Sequence, residues 1–577
     1  MHHLRSVLTC LVIAAFASAG LAQTHETGHG GAAATVDERV TAAAITVLEL
    51  GGNAIDATVA AAAALGVTEP FSGGIGGGGF MLIYLAETGQ VISIDGRETA
   101  PMAATPDMFM DGDTALPFNE RRGSSLSVGV PGTLAQWQVA LDRYGTMDLG
   151  TLLQPAIRLA EDGFEVDETF ASQAHGNLER FSTFPAAAEL FLPDGAAPEV
   201  GSIHRNPDLA ATYRLLAEEG INAFYRGEIG YDLVATVQSP ATVDEPTYVV
   251  RSQDMTMADL DLYHAPVRAA THMNYRGYDI YGMGSPSSGG LTIGLILGML
   301  QQFDLSEMSE AEALHHMIEA SRLAYADRGA YMGDSDFVNV PGAGLQSSGF
   351  AAARAELIGD ARSDGATPGN PFDHQEVGSP PLLAPQETDE EGISTSHITV
   401  ADRHGNVVAY TITIEGTGGS GMVVPGRGFL LNNELTDFNA APGTANSVQP
   451  GKRPRSSMAP TIVLADGKPF MALGSPGGST IITTVLQSIM NVIDFGMSPE
   501  EAIAAPRMSQ QAGTNTAAEP GFTGELMSGL SELGHTFSES NEIGAATLIM
   551  FNDDGSMTAV AEPVRRGSGS ARVVNPQ

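Results

Sequence analysis

The spacing of apolar and polar positions divides this chain into a long helical first part and a later part that opens on strands. Residues 36–65 carry Ala-rich apolar positions at helical spacing, broken at Gly51-Gly52-Asn53, which predicts helix on either side of a turn. The glycine-rich stretch 73–79 follows, and an apolar run over 80–85 succeeds it. A glycine stretch that opens a helix can cradle phosphate. This one precedes a strand pattern, and no Lys-Ser or Lys-Thr follows it, so it reads as close backbone packing or a loop beside a ligand. Residues 149–225 keep helical periodicity with Pro and Gly punctuation. Over 310–328, Ala313, Met317, Ala320, Leu323 and Ala324 share one face, which predicts a helix. His315 and His316 sit on it as neighbours. Adjacent residues diverge on a helix and lack the four-residue spacing of paired metal ligands, so both read as structural or solvated.

The pattern changes at 363–392, a stretch rich in Pro, Gly, Asp and Glu that ends in Glu387-Thr388-Asp389-Glu390-Glu391-Gly392 and reads as a mobile acidic loop or linker. Behind it, 395–400 reads as a strand, 402–406 as a turn and 407–414 as the return strand. A hairpin centred near His404 places Thr395 opposite Thr413, and directly opposed side chains lie roughly 4.5–5.5 Å apart. A threonine hydroxyl alone is a poor nucleophile. The α-amino group of the same residue, with an ordinary pKa near about 8, can serve as its base, and that amine exists only once the bond before Thr395 is cut. Thr413 can then hold the Thr395 hydroxyl in one rotamer. An ordinary hairpin bearing surface threonines fits the same pattern. Farther on, Gly474-Ser475-Pro476-Gly477-Gly478-Ser479 stands before the apolar run 480–493. Paired glycines opening a helix leave N–H groups pointing outward, suited to an oxyanion, and a plain turn into a helix fits these residues equally.

Composition narrows the classes. With 577 residues, 43% hydrophobic and 17% charged, the chain is a folded protein that buries a large core. The formal net charge of -40, with Lys452 and Lys468 the only lysines, excludes nucleic acid and anionic membranes as partners. An acid-rich, lysine-poor surface also suits a salt-adapted protein. Arg5, the apolar run 7–21 and the small residue Ala22 ahead of Gln23-Thr24-His25-Glu26 predict a signal peptide over 1–22 and export to the periplasm or beyond. No later stretch reaches about 18 consecutive apolar residues, so no transmembrane span is expected. Cys10, the single cysteine, lies inside that leader, which leaves the exported chain without disulfides, a thiol nucleophile or thiolate metal ligands. The histidines are scattered and no H-E-x-x-H occurs, so neither a metal nor a cofactor is expected.

Taken in order, the motifs resemble the γ-glutamyltransferase family over nearly the whole exported chain. They are Gly51-Gly52-Asn53-Ala54-Ile55-Asp56-Ala57, Gly77-Gly78-Gly79-Phe80, Asp95-Gly96-Arg97-Glu98-Thr99-Ala100-Pro101, Val130-Pro131-Gly132, Ser285-Pro286-Ser287-Ser288-Gly289-Gly290, Ala324-Tyr325-Ala326-Asp327-Arg328, Thr395-Ser396-His397, Leu431-Asn432-Asn433-Glu434, Arg453-Pro454-Arg455-Ser456-Ser457-Met458 and Gly474-Ser475-Pro476-Gly477-Gly478. The resemblance implies an α+β fold, the four-layer αββα sandwich of N-terminal-nucleophile hydrolases. It implies a precursor that cuts itself between Ser394 and Thr395 into a large subunit, 23–394, and a small catalytic subunit, 395–577. Thr395 would be the nucleophile with its amine as base, Thr413 its orienting partner, and Gly477 and Gly478 the oxyanion hole. Arg97, Ser456 and Ser457 would hold the α-carboxylate of a γ-glutamyl donor, and Glu434 and Asp437 its α-ammonium. The acyl group would pass to water or to an amino acid or peptide acceptor.

Two departures bear on substrate. Many members carry Asn two residues after the threonine matching Thr413, where this chain has Glu415. On a continued strand, positions two apart share a face, so Glu415 is expected to point at the site, to strengthen ammonium binding or repel anionic donors. The stretch 438–452 is short and lacks the aromatic residue of a longer lid loop in some members, which predicts an open pocket where hydrolysis rivals transfer. Within the family the competing reading is an acylase of glutaryl or cephalosporin-type amides; outside it, an unprocessed secreted binding protein on the same fold.

Overall fold

The computed structural model describes residues 23–376 and 394–577. The expected leader, 1–22, and the part of the expected acidic linker within 377–393 lie outside the described residues.

Helices start where the sequence supplies caps. The Asp37 carboxylate accepts the N–H groups of Arg39 and Val40 and opens Glu38–Glu49, and Asn53 forms a capping box with Asp56 to open Ala54–Thr68. The break at 51–53 is therefore a helix stop followed at once by a new cap. Ala54–Thr68 is buried along its whole length, which explains why it is apolar on every side. The helix expected over 310–328 runs Glu310–Tyr331, opened by a Ser309/Glu312 capping box. His315 lies buried on it, with Nδ1 2.7 Å from His535 Nε2, and His316 Nδ1 sits 2.8 Å from the Glu312 carbonyl oxygen.

The strands form one continuous pairing path. It runs Val267–Ala269, Gln90–Asp95, Gly78–Leu85, Val407–Thr413, Ser396–Asp402, His25–Thr35, Met557–Ala561, Thr547–Phe551, Lys468–Gly474, Thr461–Ala465, Tyr278–Gly282, Thr271–Tyr275, with Ser570–Pro576 also paired to His25–Thr35. The first strand carries the path across. Residues 25–28 pair with 557–560 and residues 31–34 with 399–402, and the register shifts between His29 and Ala32 at two positive-φ glycines, Gly30 and Gly31.

Side-chain alternation turns that path into two facing sheets. Leu82, Tyr84, Ala401 and Ala409 share an inner core with Ile462, Leu464, Ala472 and Ile549 from the other half. Their strand neighbours Met81, Ile83, Val400 and Val408 face outward onto the helical residues Val40, Val59 and Leu65. On the far side Val463, Met471, Leu473 and Leu548 face Ile293, Ile318 and Leu486. Helices, sheet, sheet and helices make four layers, the αββα sandwich expected from the motifs. Among the described residues no helix is long and apolar enough to cross a membrane, and no group of three or more His, Asp and Glu could hold a metal ion.

The glycine run 73–79 packs backbone on backbone. A Cβ on Gly76 would collide with the Leu430 carbonyl oxygen, one on Gly77 with the Thr413 carbonyl oxygen, and one on Gly78 with the Gly96 carbonyl oxygen. The strand Gly78–Leu85 can therefore lie directly beside Val407–Thr413, with Gly78 opposite Thr413.

Burial also raises the pKa of several acids, Glu98 and Glu69 among them. Glu98 is fully buried, and desolvation raises its pKa to about 8 against the pull of Arg97; Glu69 is raised to about 7 by burial, partly offset by Arg566.

Two outcomes follow for stability. Gly77→Ala should lower stability by ~1–3 kcal/mol through overpacking, whereas Gly359→Ala, whose Cβ meets nothing within 4 Å, should leave it unchanged; urea unfolding of both compares them. The folded-state pKa values of Glu98 and Glu69 lie above the unfolded ones, so both acids favour the fold below the ordinary carboxylate range, and that contribution is lost as pH rises through about 7 and about 8. The melting temperature should fall between mildly acidic and mildly alkaline pH, and by less in Glu98→Gln. An unchanged slope in that variant would show that Glu98 is not the titrating group.

Candidate active site

The hairpin forms in the expected register. Ser396–Asp402 pairs antiparallel with Val407–Thr413, Ser396 opposite Ile412 and His397 opposite Thr411, so the next step outward sets Thr395 against Thr413. The two hydroxyl oxygens are 3.4 Å apart. Thr395 Oγ1 donates to the Ser394 carbonyl oxygen at 2.7 Å, and Thr413 Oγ1 lies 3.1 Å from the same oxygen while accepting the Glu415 N–H at 2.8 Å. Two hydroxyls thus converge on the peptide bond that precedes Thr395. One can polarise its carbonyl while the other stands beside it as a nucleophile. All three residues are buried.

The chain on either side of that bond is pinned. Ser394 Oγ donates to the Phe71 carbonyl oxygen at 3.2 Å and bonds Ser72 Oγ at 2.9 Å. The Arg566 guanidinium donates to the Thr395 carbonyl oxygen and to Ser72 Oγ, and pairs with Glu69 at 3.2 Å. Arg566 itself holds a left-handed backbone, φ 55°.

Thr395 and Thr413 open into a pocket of about 230 Å³ of empty volume, whose walls also include Arg97, Glu415, Glu434, Asp437, Ser456, Ser457 and Gly478. Arg97 is 1% exposed. It pairs with both Glu434 and Asp437, and its remaining donors reach the Pro454 carbonyl oxygen at 3.2 Å and the Arg455 carbonyl oxygen at 2.8 Å. Ser457 Oγ accepts from Arg328 at 2.7 Å, and Arg328 Nε donates to Ser288 Oγ at 2.7 Å. Ser456 Oγ accepts the Met458 N–H at 3.1 Å. One guanidinium, two serine hydroxyls and several carboxylates in a buried pocket suit a ligand end that carries both an anion and a cation.

The turn after Lys468–Gly474 brings the glycines. Gly477 has φ 135° and Gly478 φ 56°, conformations that favour glycine, and the short 3₁₀ turn Gly478–Thr480 leads into the helix Ile481–Ile493. The first N–H groups of a helix lack intrahelical acceptors, and Gly478 of this turn lines the same pocket as Thr395. His397 is no candidate base. Its ring is fully buried against Gly474, bonded to Thr411 Oγ1 at 2.8 Å, and burial lowers its pKa to about 3.

Of the candidate catalytic, substrate-binding and cleavage-site residues, all but Gly477 and Ser394 line this one pocket; those two line an adjoining cleft. Two expectations change in detail. Glu415 does reach the pocket, but not by strand alternation: the strand ends at Thr413, and Glu415 has a left-handed backbone, φ 74°, with its carboxylate bonded to Asn433 Nδ2. Arg97, Glu434 and Asp437, expected as two half-sites, form one ion-paired triad. The stretch 438–452 is tied down, with Lys452 Nζ donating to Ala445 and Ser447 carbonyls at 2.8 and 2.9 Å. Sequence reasoning gave no role to Arg566, Ser72, Asn433 or Arg328. Arg328 sits in a motif already noted, whereas nothing in the pattern around Arg565-Arg566-Gly567 marks it.

Comparison with known proteins places these features. A family model described as Gamma-glutamyltranspeptidase matches residues 40–572. The chain is 41% identical to a glutathione hydrolase proenzyme of Bacillus subtilis (strain 168) over 549 residues, covering 94% of this chain and 92% of that one. It is 38% identical to a glutathione hydrolase proenzyme of Escherichia coli (strain K12), covering 92% and 90%. Among solved structures, a cephalosporin acylase from Bacillus halodurans superposes with a TM-score of 0.84 at 27% identity, covering 98% of this chain and 99% of that one. A full-length match of this kind, on a four-layer sandwich with the motif residues gathered at one pocket, makes the chain a member of the γ-glutamyltranspeptidase family of enzymes.

Proposed function

We propose that this chain is a precursor that cuts itself between Ser394 and Thr395 and then transfers or hydrolyses γ-glutamyl groups, glutathione and related amides included, through an ester on Thr395. The observation that carries the reading is the convergence of the Thr395 and Thr413 hydroxyls on the Ser394 carbonyl oxygen, at the mouth of a pocket built for an amino-acid head group. In maturation, Thr395 Oγ1 attacks the Ser394 carbonyl carbon, the C–N bond breaks as the peptide becomes an ester and the Thr395 amine takes up a proton, and water then cleaves the ester to give the Ser394 carboxyl and the free Thr395 hydroxyl. The subunits 23–394 and 395–577 then remain one interleaved fold, since strands from both halves alternate in the sheets.

In turnover the freed amine takes the hydroxyl proton as Thr395 Oγ1 attacks the γ-carbonyl. The N–H groups of Gly477 and Gly478 stabilise the oxyanion. Arg97, Ser456 and Ser457 receive the α-carboxylate, and Glu434 and Asp437 the α-ammonium. The leaving amine departs with a proton, and water or an amine acceptor releases the acyl group. The apolar leader at 1–22 supports export, with the enzyme working in the periplasm or outside the cell.

A second reading has one observation of its own. The likeness to a cephalosporin acylase spans 98% of the chain, and Glu415 adds a carboxylate where the resemblance to the family leads to an Asn. An acylase of glutaryl-type amides would not need the ammonium site, so intact Glu434 and Asp437 favour γ-glutamyl donors.

Three measurements test these readings. Wild-type protein should run on a denaturing gel as two fragments split before Thr395, and Thr395→Ala as one full-length band without turnover; a wild type that persists as a single band removes the self-cleaving reading and favours an inert binding protein. On a panel of γ-glutamyl and glutaryl amides the wild type should prefer the former, and a reversed preference establishes the acylase instead. Glu415→Asn should change relative kcat/KM among γ-glutamyl donors of differing charge by a few-fold, on the order of one buried charge contact; identical profiles would leave Glu415 without a role in donor choice.

A further inference from the structure

A second cleft adjoins the head-group pocket, and the reacting bond lies on the boundary between them. Thr395 and Gly478 face the smaller pocket, while Ser394 and Gly477 face the cleft, which has about 1280 Å³ of empty volume. Neighbouring residues of one chain thus border different cavities twice over, at Ser394-Thr395 and at Gly477-Gly478, so a substrate carbonyl held between Thr395 and the glycine turn would have one cavity on each side. An amide carbonyl has its acyl part on one side and its amine part on the other. If the acyl part fills the Arg97 pocket, the amine part extends into the cleft.

The cleft is open and its charge is one-sided. Glu168 and Glu542 are exposed on its walls. Arg566 is the one cation among its described lining residues, and its guanidinium is committed to the Thr395 carbonyl oxygen, Ser72 and Glu69. Glu542 further accepts the Arg566 backbone N–H at 2.8 Å, which holds that carboxylate at the wall. The other polar groups near the rim, Gln173 and Ser172, are neutral. The net field in the cleft opposes an incoming carboxylate and favours an amine that is otherwise neutral or cationic.

We propose that this cleft is the subsite for the leaving group and the acceptor, and that it favours amines without a free carboxylate, such as amino-acid amides, peptide amides and diamines, over free amino acids and dipeptides. The inference rests on the acyl-transfer reading above and specifies its second substrate. In the transfer step the neutral amine nitrogen attacks the acyl carbon of the Thr395 ester. A C–N bond forms, the bond from acyl carbon to Thr395 Oγ1 breaks, and the proton lost by the amine passes through the Thr395 amino group to Oγ1. The products are a new amide and the free hydroxyl.

The experiment uses the processed full-length enzyme, a γ-glutamyl anilide donor, and matched acceptors that differ only in their terminus: glycylglycine against glycylglycine amide. Formation of transfer product should show a lower acceptor KM for the amide, by about three- to fivefold, the scale of partly exposed charge effects. That ratio should shrink towards one in high salt and in Glu168→Gln/Glu542→Gln. Ser172→Trp, which narrows the cleft from its helix face, should raise KM for both acceptors without changing their ratio. Equal KM values in the wild type, or a ratio that the double variant leaves intact, would overturn the proposal. A wild type that consumes no γ-glutamyl anilide contradicts the donor reading alone; the same acceptor pair is then run on a glutaryl anilide, and the KM ratio decides the cleft's role as before.

Discussion

The site depends on one pairing register. Ser396 opposite Ile412 brings Thr395 to Thr413, and in this register both hydroxyls reach the Ser394 carbonyl oxygen. A slip by one residue would turn every side chain to the other face and carry Thr395 away from its partner. The register is held from both sides. Within the hairpin, Val400 and Val408 face the outer helices while Ala401 and Ala409 face the inner core, so a slip would exchange the two sets. Outside it, the glycines at 76–78 let a third strand and its loop lie against Thr413 with no side chain between the backbones. Helix and sheet packing far from the chemistry thus fix a distance of a few ångströms at Thr395.

The second constraint is electrostatic. This strongly acidic protein buries one guanidinium, Arg97, between Glu434 and Asp437, with Glu415 in the same pocket. Buried ion pairs carry a heavy desolvation cost and are poor sources of net stability. With formal charges counted, the pocket has more carboxylates than cations. A ligand's ammonium would offset part of that excess, while its carboxylate would have to share Arg97 with the present partners. The fully buried Glu98 beside Arg97 does not add to the excess near neutral pH, because burial lifts its pKa to about 8.

Much of this was readable in the chain. The break at 51–53, the helix from Glu310 and the hairpin with its register follow from periodicity and turn chemistry alone, because each is set by local spacing. The gathering of Arg97, Glu434 and Ser457 around Thr395 came only through motif resemblance, since those positions are far apart in sequence and no local rule joins them. Arg566 stayed invisible for a further reason. It reaches Thr395 from a turn near the end of the chain, on a left-handed backbone that its neighbours do not announce. Glu415 shows the limit of periodicity itself: the alternation rule put it in the pocket, but the strand had already ended, and a positive φ does the turning.

The two cavities give these parts a common logic. In the proposed reading, a nucleophile at the junction of two differently lined spaces would sort its substrate by halves: the pocket around Arg97 would read the acyl group through fixed charges, and the cleft would read the amine through a screened field. Fixed, desolvated contacts discriminate strongly, whereas exposed carboxylates bias weakly and yield to salt. On that reading donor choice would be tied to a few residues such as Arg97, Glu434 and Glu415, while the balance between water and an amine acceptor would follow from how open the second space is. With the stretch 438–452 pinned through Lys452 beside the first pocket and exposed carboxylates on the walls of the second, that balance would, on the same reading, rest with the cleft.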